Sequence, residues 1–430
     1  MTRPINADVP AVEAKEPSTP TPPGRRRKPV PGALKAIAGL FVLAVVFIVA
    51  AILGGGGGGE DHGTEAPAPV SEAPSTPAET PAARPDELGY PSFATANTTR
   101  VGGGDAASTA AAVALAAYPS AKPSQRPAAV TVVDAADWRT AVAAAALTAP
   151  PVGAPVLVSE ADGMPDATGE ALSALAPSGS KDTGAAQVFA IGAADTPDDL
   201  RTHRVRQAGA AGAAELLALR ERLTGSPPRH IVVAASGSPA FAMPAAAWAA
   251  RSGDPVLFTG AKALARPTAT ALKAHPHTRV FVLGPSSVVS SDVVREIAKR
   301  APHVQRVSGE DPVANAIELA RYSAGGFGWN INDPGHGFVV ANGAEPLDAP
   351  AAAALSASGA WGPLLLSDDA DTLPSALRGY LLDVKPGYTD DPTRAFYNHV
   401  WVIGDQEAIG VNEQAEIDEL AALARIGGEE

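Results

Sequence analysis

From Thr98 onward, apolar and polar positions run through the same series of textures three times. Each unit opens on a short start that leads into a small-residue helix: TTRVGGGDAASTAAAVALAAY, THRVRQAGAAGAAELLALRERL and VQRVSGEDPVANAIELARY. Arg100, Arg204 and Arg306 align at spacings of 104 and 102 residues, each followed by Val and, ten residues on, by Ala110, Ala214 and Ala316. Next come the apolar runs VTVV, HIVV and FVVA, an Ala-rich helix, and a second run opened by proline: PVLV, PVLF and PLLL. Apolar runs without alternation suit strands covered on both faces of a parallel sheet. A third strand ends on glycine at Gly192, Gly284 and Gly404, and helices follow it, with apolar residues at helical spacing in SSDVVREIAKR and NEQAEIDELAAL. Strand, helix, strand, helix, strand predicts a right-handed α/β unit. The pattern therefore predicts three tandem three-layer α/β repeats, 90–196, 197–300 and 301–425, in a pseudo-threefold arrangement.

The N-terminal pattern differs. Residues 36–53 (AIAGLFVLAVVFIVAAIL) carry no charge over 18 positions. As a helix they extend ~27 Å, and with Ala33 and Leu34 they reach across a hydrocarbon core of about 30 Å. Arg25, Arg26, Arg27, Lys28 and Lys35 precede the run, while Glu60, Asp61 and Glu65 follow it. The positive-inside rule predicts a single transmembrane helix at 33–53 with the N-terminus cytoplasmic and everything after it extracytoplasmic. A cleaved signal peptide shares the pattern and stands as the rival. Residues 1–32 are rich in Pro and Thr and predict a disordered cytoplasmic tail. That tail is either a topology signal or a docking segment for a cytoplasmic protein around Ser18, Thr19 and Thr21. Residues 54–89 begin with six glycines and continue in Pro, Ala, Thr and Glu, which predicts a spacer.

Composition narrows the chemistry. Hydrophobic residues make up 46% of 430 positions, enough for real cores, and the absence of Cys excludes disulfides, thiol nucleophiles and thiolate metal sites. Of 33 basic and 46 acidic residues, 7 and 3 lie in residues 1–59, so the remainder carries 26 against 43, a net of −17. Such a balance argues against nucleic acid as a partner.

The combination of motifs resembles the cell wall-binding repeat 2 family of Gram-positive surface proteins. The resemblance rests on Arg100, Val101, Gly103 and Asp105, on Arg306, Val307, Gly309 and Asp311, and on the strand end Ala341 to Gly343. It rests also on the pair Asp348 and Ala349, and on the proline-opened strands at Pro155, Pro255 and Pro363. It covers about Thr98 to Leu423 and implies a pseudo-trimer of α/β modules that attaches non-covalently to anionic cell-wall polysaccharide, here in a chain that the 33–53 span makes a membrane-anchored protein of actinobacterial type. The implied grooves lie near the proline-opened strands. The acid of the Asp-Ala pair survives only as Asp348, since Thr140 and about Met243 stand at the corresponding places. The second copy has Gln207 and Gly209 where the others have glycine and aspartate.

For the residues singled out, two readings stay open each time. Pro155, Pro255 and Pro363 either begin strands or border a groove. Arg100, Arg204 and Arg306 either tie neighbouring modules by salt bridges or meet a charged ligand. Asp348 is either a binding residue or an acid in a first helical turn. The third unit is longest and carries the inserts SAGGFGWNINDPGHG and KPGYTDDPTRAFYNH; ten of the chain's aromatic residues lie between Tyr322 and Trp401. Those rings either fill a core, as expected for Phe338, Trp361, Tyr380 and Trp401, or stack on sugars beside Asp390, Asp391, Arg394 and Asn398. Trp329, Tyr388 and Tyr397 are expected to be exposed. No catalytic, metal or cofactor site is expected, since SGSP at Ser236, GGFG at Gly325, His275 with His277, and Asp368, Asp369 and Asp371 lack the contexts such sites require. The function expected is a non-catalytic binding module for cell-wall polymer; the alternative is a scaffold or receptor linking a cytoplasmic complex to the envelope.

Overall fold

The computed structural model describes residues 93–357 and 361–426, with the backbone alone for Trp361; all lie in one compact unit, Ser75–Glu430. The expected tail, membrane span and spacer at 1–32, 33–53 and 54–89 fall outside the described residues. Among the described residues no helix is long and apolar enough to cross a membrane.

Fifteen strands are present among these residues: β1 (Phe93–Ala94), β2 (Thr98–Val101), β3 (Val130–Asp134), β4 (Val156–Ser159), β5 (Val188–Ile191), β6 (Thr202–Val205), β7 (His230–Ala235), β8 (Val256–Thr259), β9 (Arg279–Leu283), β10 (Val304–Val307), β11 (Gly337–Asn342), β12 (Trp361–Ser367), β13 (Gly387–Tyr388), β14 (His399–Ile403) and β15 (Ala424–Arg425). They form three larger sheets, β4-β3-β5-β6, β8-β7-β9-β10 and β12-β11-β14-β2, the last extended by β1 at its edge. Pairing is parallel throughout except for β1 on β2. The mixed α/β class and the parallel sheets read from the apolar runs are therefore present.

One feature of the topology was not expected. The strand that opens each predicted unit pairs with the last strand of the sheet before it: β6 on β5, β10 on β9, and β2 on β14. The first described strands thus complete the last sheet, with Ile403 opposite Val101 as Ile191 is opposite Val205. Hydrophobic patterning reports that such a strand is buried, and it is silent on which sheet edge receives it.

The centre is built from alanine. The helices Trp138–Ala144, Pro244–Ser252 and Asp348–Ser356 pack against one another, and Ala141, Ala143, Ala145, Ala245, Ala247, Ala249, Ala349, Ala351 and Ala353 are all buried there. A side chain of one methyl group lets helix axes approach closely while keeping the best intrinsic helix propensity. The helices Ala106–Ala117 and Gly209–Thr224 each lie between one of these central helices and the second strand of the following sheet.

The caps of the helices that follow β2, β6 and β10 differ. Asp105 accepts from Ser108 N at 2.7 Å and Asp311 from Ala314 N at 2.8 Å, each capping the helix it precedes. Gly209 offers no such side chain. Asp137, at the start of the helix Trp138–Ala144, accepts from Gly209 N at 2.7 Å instead, so a neighbouring element supplies the missing acceptor.

Candidate functional site

In a parallel sheet of this order, the connections leave β11 and β14 in opposite directions, opening a crevice beyond their C-terminal ends, where α/β sheets bind ligands. In the third sheet that position is built by Asn342, Gly404 and the turn that follows. Asn342 donates to the Ala408 carbonyl at 2.8 Å and accepts from Ala344 N at 2.9 Å, while Asp405 accepts from Glu407 N and Ala408 N at 2.9 and 3.1 Å. Gly404 adopts φ +89°, and Gly102 (φ +142°) lies so close that a Cβ there would stand 2.6 Å from Gly404 N.

Into this turn projects Arg100, only 3% exposed. Its guanidinium donates to the carbonyls of Gly404, Asp405 and Ile409 and to Gln414 Oε1 at 3.0 Å. Burial lowers its pKa, and the charges of Asp405 and Glu413 oppose that shift. Arg204 donates to the Ala194 carbonyl and Thr196 Oγ1, and Arg306 to the carbonyls of Gly284 and Val289. All three arginines therefore hold the turn after the neighbouring strand by its backbone; among the described residues none does so through the carboxylate pair that the salt-bridge reading requires.

Two carboxyl groups are buried beside this joint. Asp348 is 4% exposed, and no described residue donates a hydrogen bond to its carboxylate. Burial first, then the charges of Glu345 and Asp405, push its pKa up to about 7. Glu413, 1% exposed, has neither oxygen partnered. Ser367 Oγ lies beside it but donates its hydrogen to the Asp369 carbonyl at 2.9 Å. Burial, together with Asp369, Asp368 and Glu416, pushes Glu413 to about 7 as well. At the places corresponding to Asp348, Thr140 and Met243 are buried; Thr140 donates to Asp137, while Met243 closes the second position with an apolar side chain.

The remaining expected site residues do not join this group. Pro155 and Pro255 are buried immediately before β4 and β8, at the end of the sheet opposite the crevice, and their carbonyls accept from Thr131 N and Val232 N. Pro363 is buried inside β12 rather than at its start, where β12 slips register against β11. Trp329 is not exposed. It is half-buried with its ring 5.6 Å from that of Trp248, because the first insert folds back on the second sheet and fills its lower end. Tyr388 is half-buried on β13, and only Tyr397 is truly exposed, at 57%, its hydroxyl donating to the Pro392 carbonyl. Phe338 and Tyr380 lie in the core as expected. Asn398 is buried, accepting from Gly335 N and His336 N and donating to the Val384 carbonyl, so it joins the two inserts rather than facing solvent.

Sequence reasoning passed over Glu413, His230 and Asp254. A charged residue between helical apolar positions reads as a solvated face, and only tertiary packing turns it inward. The triplet Asp368, Asp369 and Asp371 forms an ordinary turn, with Asp369 accepting from Asp371 N and Thr372 N. No group of three or more metal-ligating side chains is assembled among the described residues.

A parallel α/β architecture with a buried polar joint at its strand ends defines the structural class. Two segments, 206–294 and 306–412, match the family model described as cell wall binding domain 2 (CWB2). The fold is similar to that of Cwp8 from Clostridium difficile (19% identity, TM-score 0.58, 76% of this chain and 52% of that one). It is similar also to Cwp6 from Clostridium difficile (16% identity, TM-score 0.58, 76% of this chain and 47% of that one). The chain thus spans about half the length of each of these proteins. No curated protein sequence matches it.

Proposed function

We propose that this chain is a non-catalytic surface module that binds cell-wall polymer through three tandem α/β repeats, 90–196, 197–300 and 301–425, arranged about a pseudo-threefold axis. The observation that carries this reading is the pair of CWB2 matches at 206–294 and 306–412. The common strand order of the three sheets supports extending the same unit to the first repeat. The uncharged run 36–53 with its basic flank supports an anchor at 33–53, with the tail meeting a cytoplasmic protein and the repeats held outside the membrane. The net of −17 beyond residue 59 means that any anionic polymer must be met at local sites rather than by general attraction.

The test is co-sedimentation of the purified full-length protein with isolated cell walls at low salt. Retention that is competed by soluble wall polymer is expected. Failure to sediment with walls at any salt concentration removes the proposal.

A further inference from the structure

The first insert of the third unit is held by a histidine that has acceptors on both sides. His230, 7% exposed at the start of β7, places Nδ1 2.9 Å from Asp254 Oδ2 and Nε2 3.2 Å from the carbonyl oxygen of Gly325. Both neighbours can only accept, and a neutral imidazole carries one N–H, so only the imidazolium satisfies both contacts. Asp254 is anchored independently, accepting from Trp248 Nε1 at 2.9 Å and His230 N at 3.1 Å. Gly325, at φ +61°, lies under the Arg279 guanidinium so closely that a Cβ would overlap it. Two residues on, Phe327 stacks on Phe281 with centroids 3.8 Å apart and meets Trp248 edge-on at 4.9 Å.

We propose that His230 is a pH-operated latch: its imidazolium pins the segment 323–336 to the second sheet, and loss of its proton frees the segment and the aromatic cluster beneath it. The charged groups facing the ring are Asp254, from the turn before β8, and Arg279, at the start of β9; Arg220, from the helix Gly209–Thr224, acts on Asp254 from the far side. Burial works against the charged ring, but the hydrogen bond and charge of Asp254 and the Gly325 carbonyl outweigh it, so the proton is held above the ordinary histidine range. The latch is therefore fully closed below about pH 6.5 and opens as pH rises through the folded-state value.

The experiment follows hydrogen exchange of 323–331, corrected for intrinsic rates, together with tryptophan emission from Trp248 and Trp329 in the full-length protein between pH 5 and pH 9.5. Protection is expected to fall roughly tenfold across one titration, the scale of one charge-assisted hydrogen bond. Asp254→Asn should move the midpoint down by about one pH unit, and His230→Phe should remove the transition. His336→Gln, which alters the histidine of the same insert that faces Asp333, should leave it in place. Protection that is flat with pH, or a transition that persists in His230→Phe, overturns the latch. Should His230→Phe fail to fold, an unmoved midpoint in Asp254→Asn overturns it equally.

Discussion

The joint where β2 meets β14 differs from those where β6 meets β5 and β10 meets β9, although the three have the same geometry. Arg100 is buried and makes four hydrogen bonds, whereas Arg204 and Arg306 make two each and are more exposed. The first joint has further pins across it: Gln414 donates to Thr98 Oγ1 at 2.9 Å, Thr99 meets His399, and Asp418 accepts from Thr95 and Asn97. At the joint of β6 and β5, Arg201 donates to the Ala185 and Ser178 carbonyls at 2.9 Å each. Sequence distance supplies the reason. β6 and β10 follow their partners by short connections, whereas Arg100 and Gly404 are 304 residues apart. In loop-closure terms, joining ends ~300 rather than ~15 residues apart costs about 2–3 kcal/mol more. The added hydrogen bonds of the closing joint offset a cost that connectivity spares the other two.

The sharpest way to break the comparison is to remove the arginines one at a time. Arg100→Ala leaves three buried carbonyls without their donor and is expected to cost about 3–5 kcal/mol. Arg306→Ala and Arg204→Ala should cost about 1 kcal/mol or less. Urea denaturation midpoints at constant slope measure this directly, and equal losses at all three sites would mean that the closing joint is not special. Gly102 is the next largest. A Cβ there meets Gly404 N at 2.6 Å in a backbone conformation that L-residues avoid, so Gly102→Ala should cost about 2–3 kcal/mol. The residues that follow β6 and β10 are Arg206 and Ser308, and replacing either with Gly should change stability by under about 1 kcal/mol.

The closing joint also carries a pH dependence of its own. Asp348 and Glu413 have folded-state values near 7, above their ordinary 3.8 and 4.5. A carboxyl raised by folding adds stability that is fully present below its unfolded value and is lost as pH rises through its folded one. The contribution of these two carboxyls should therefore decline between about pH 4 and pH 7, separately from any change at His230. Asp348→Asn and Glu413→Gln should each flatten the decline and leave the protein about 1–2 kcal/mol more stable than the parent at pH 8. Thermal unfolding at pH 5 and pH 8 reads the difference, and a parent whose stability rises across that interval would contradict the assignment. Thr140 and Met243, at the corresponding places, cannot titrate in this range, so the slope belongs to the closing joint alone among the three.

Much of this was legible in the chain. VTVV, HIVV and FVVA became the central strands β3, β7 and β11, and SSDVVREIAKR and NEQAEIDELAAL became helices, because continuous apolar runs and helical spacing both record burial. The assignment of each opening strand to the preceding sheet was not legible, since Val101 or Val205 is equally apolar beside either neighbour. Trp329 shows the same limit from the other side. Glycine and asparagine around it suggest a solvated loop, yet the insert folds onto Trp248 and Phe281, contacts that no local pattern encodes. The aligned arginines and the Asp-Ala pair found Arg100 and Asp348, two members of the candidate site, but the buried state of Glu413 depends on where the helix Val411–Ala421 docks.

The smallest effect expected concerns the pin farthest from the crevice. Asp418, half-buried on the helix Val411–Ala421, accepts from Thr95 Oγ1 and, at 2.7 Å, from Asn97 N, while Asn97 Nδ2 donates to the Asp418 carbonyl at 3.2 Å. These bonds fix the turn between β1 and β2, and so the register in which β2 reaches β14. Asp418→Asn keeps an acceptor oxygen and the backbone carbonyl but loses the charge, so a cost of about 0.5–1 kcal/mol is expected. Its clearest sign should be faster hydrogen exchange in 95–101 and not in 202–205 or 304–307. Equal acceleration in all three opening strands would mean that they open as one unit, and the extra bonds at the closing joint would then serve all three sheets rather than the strand they touch.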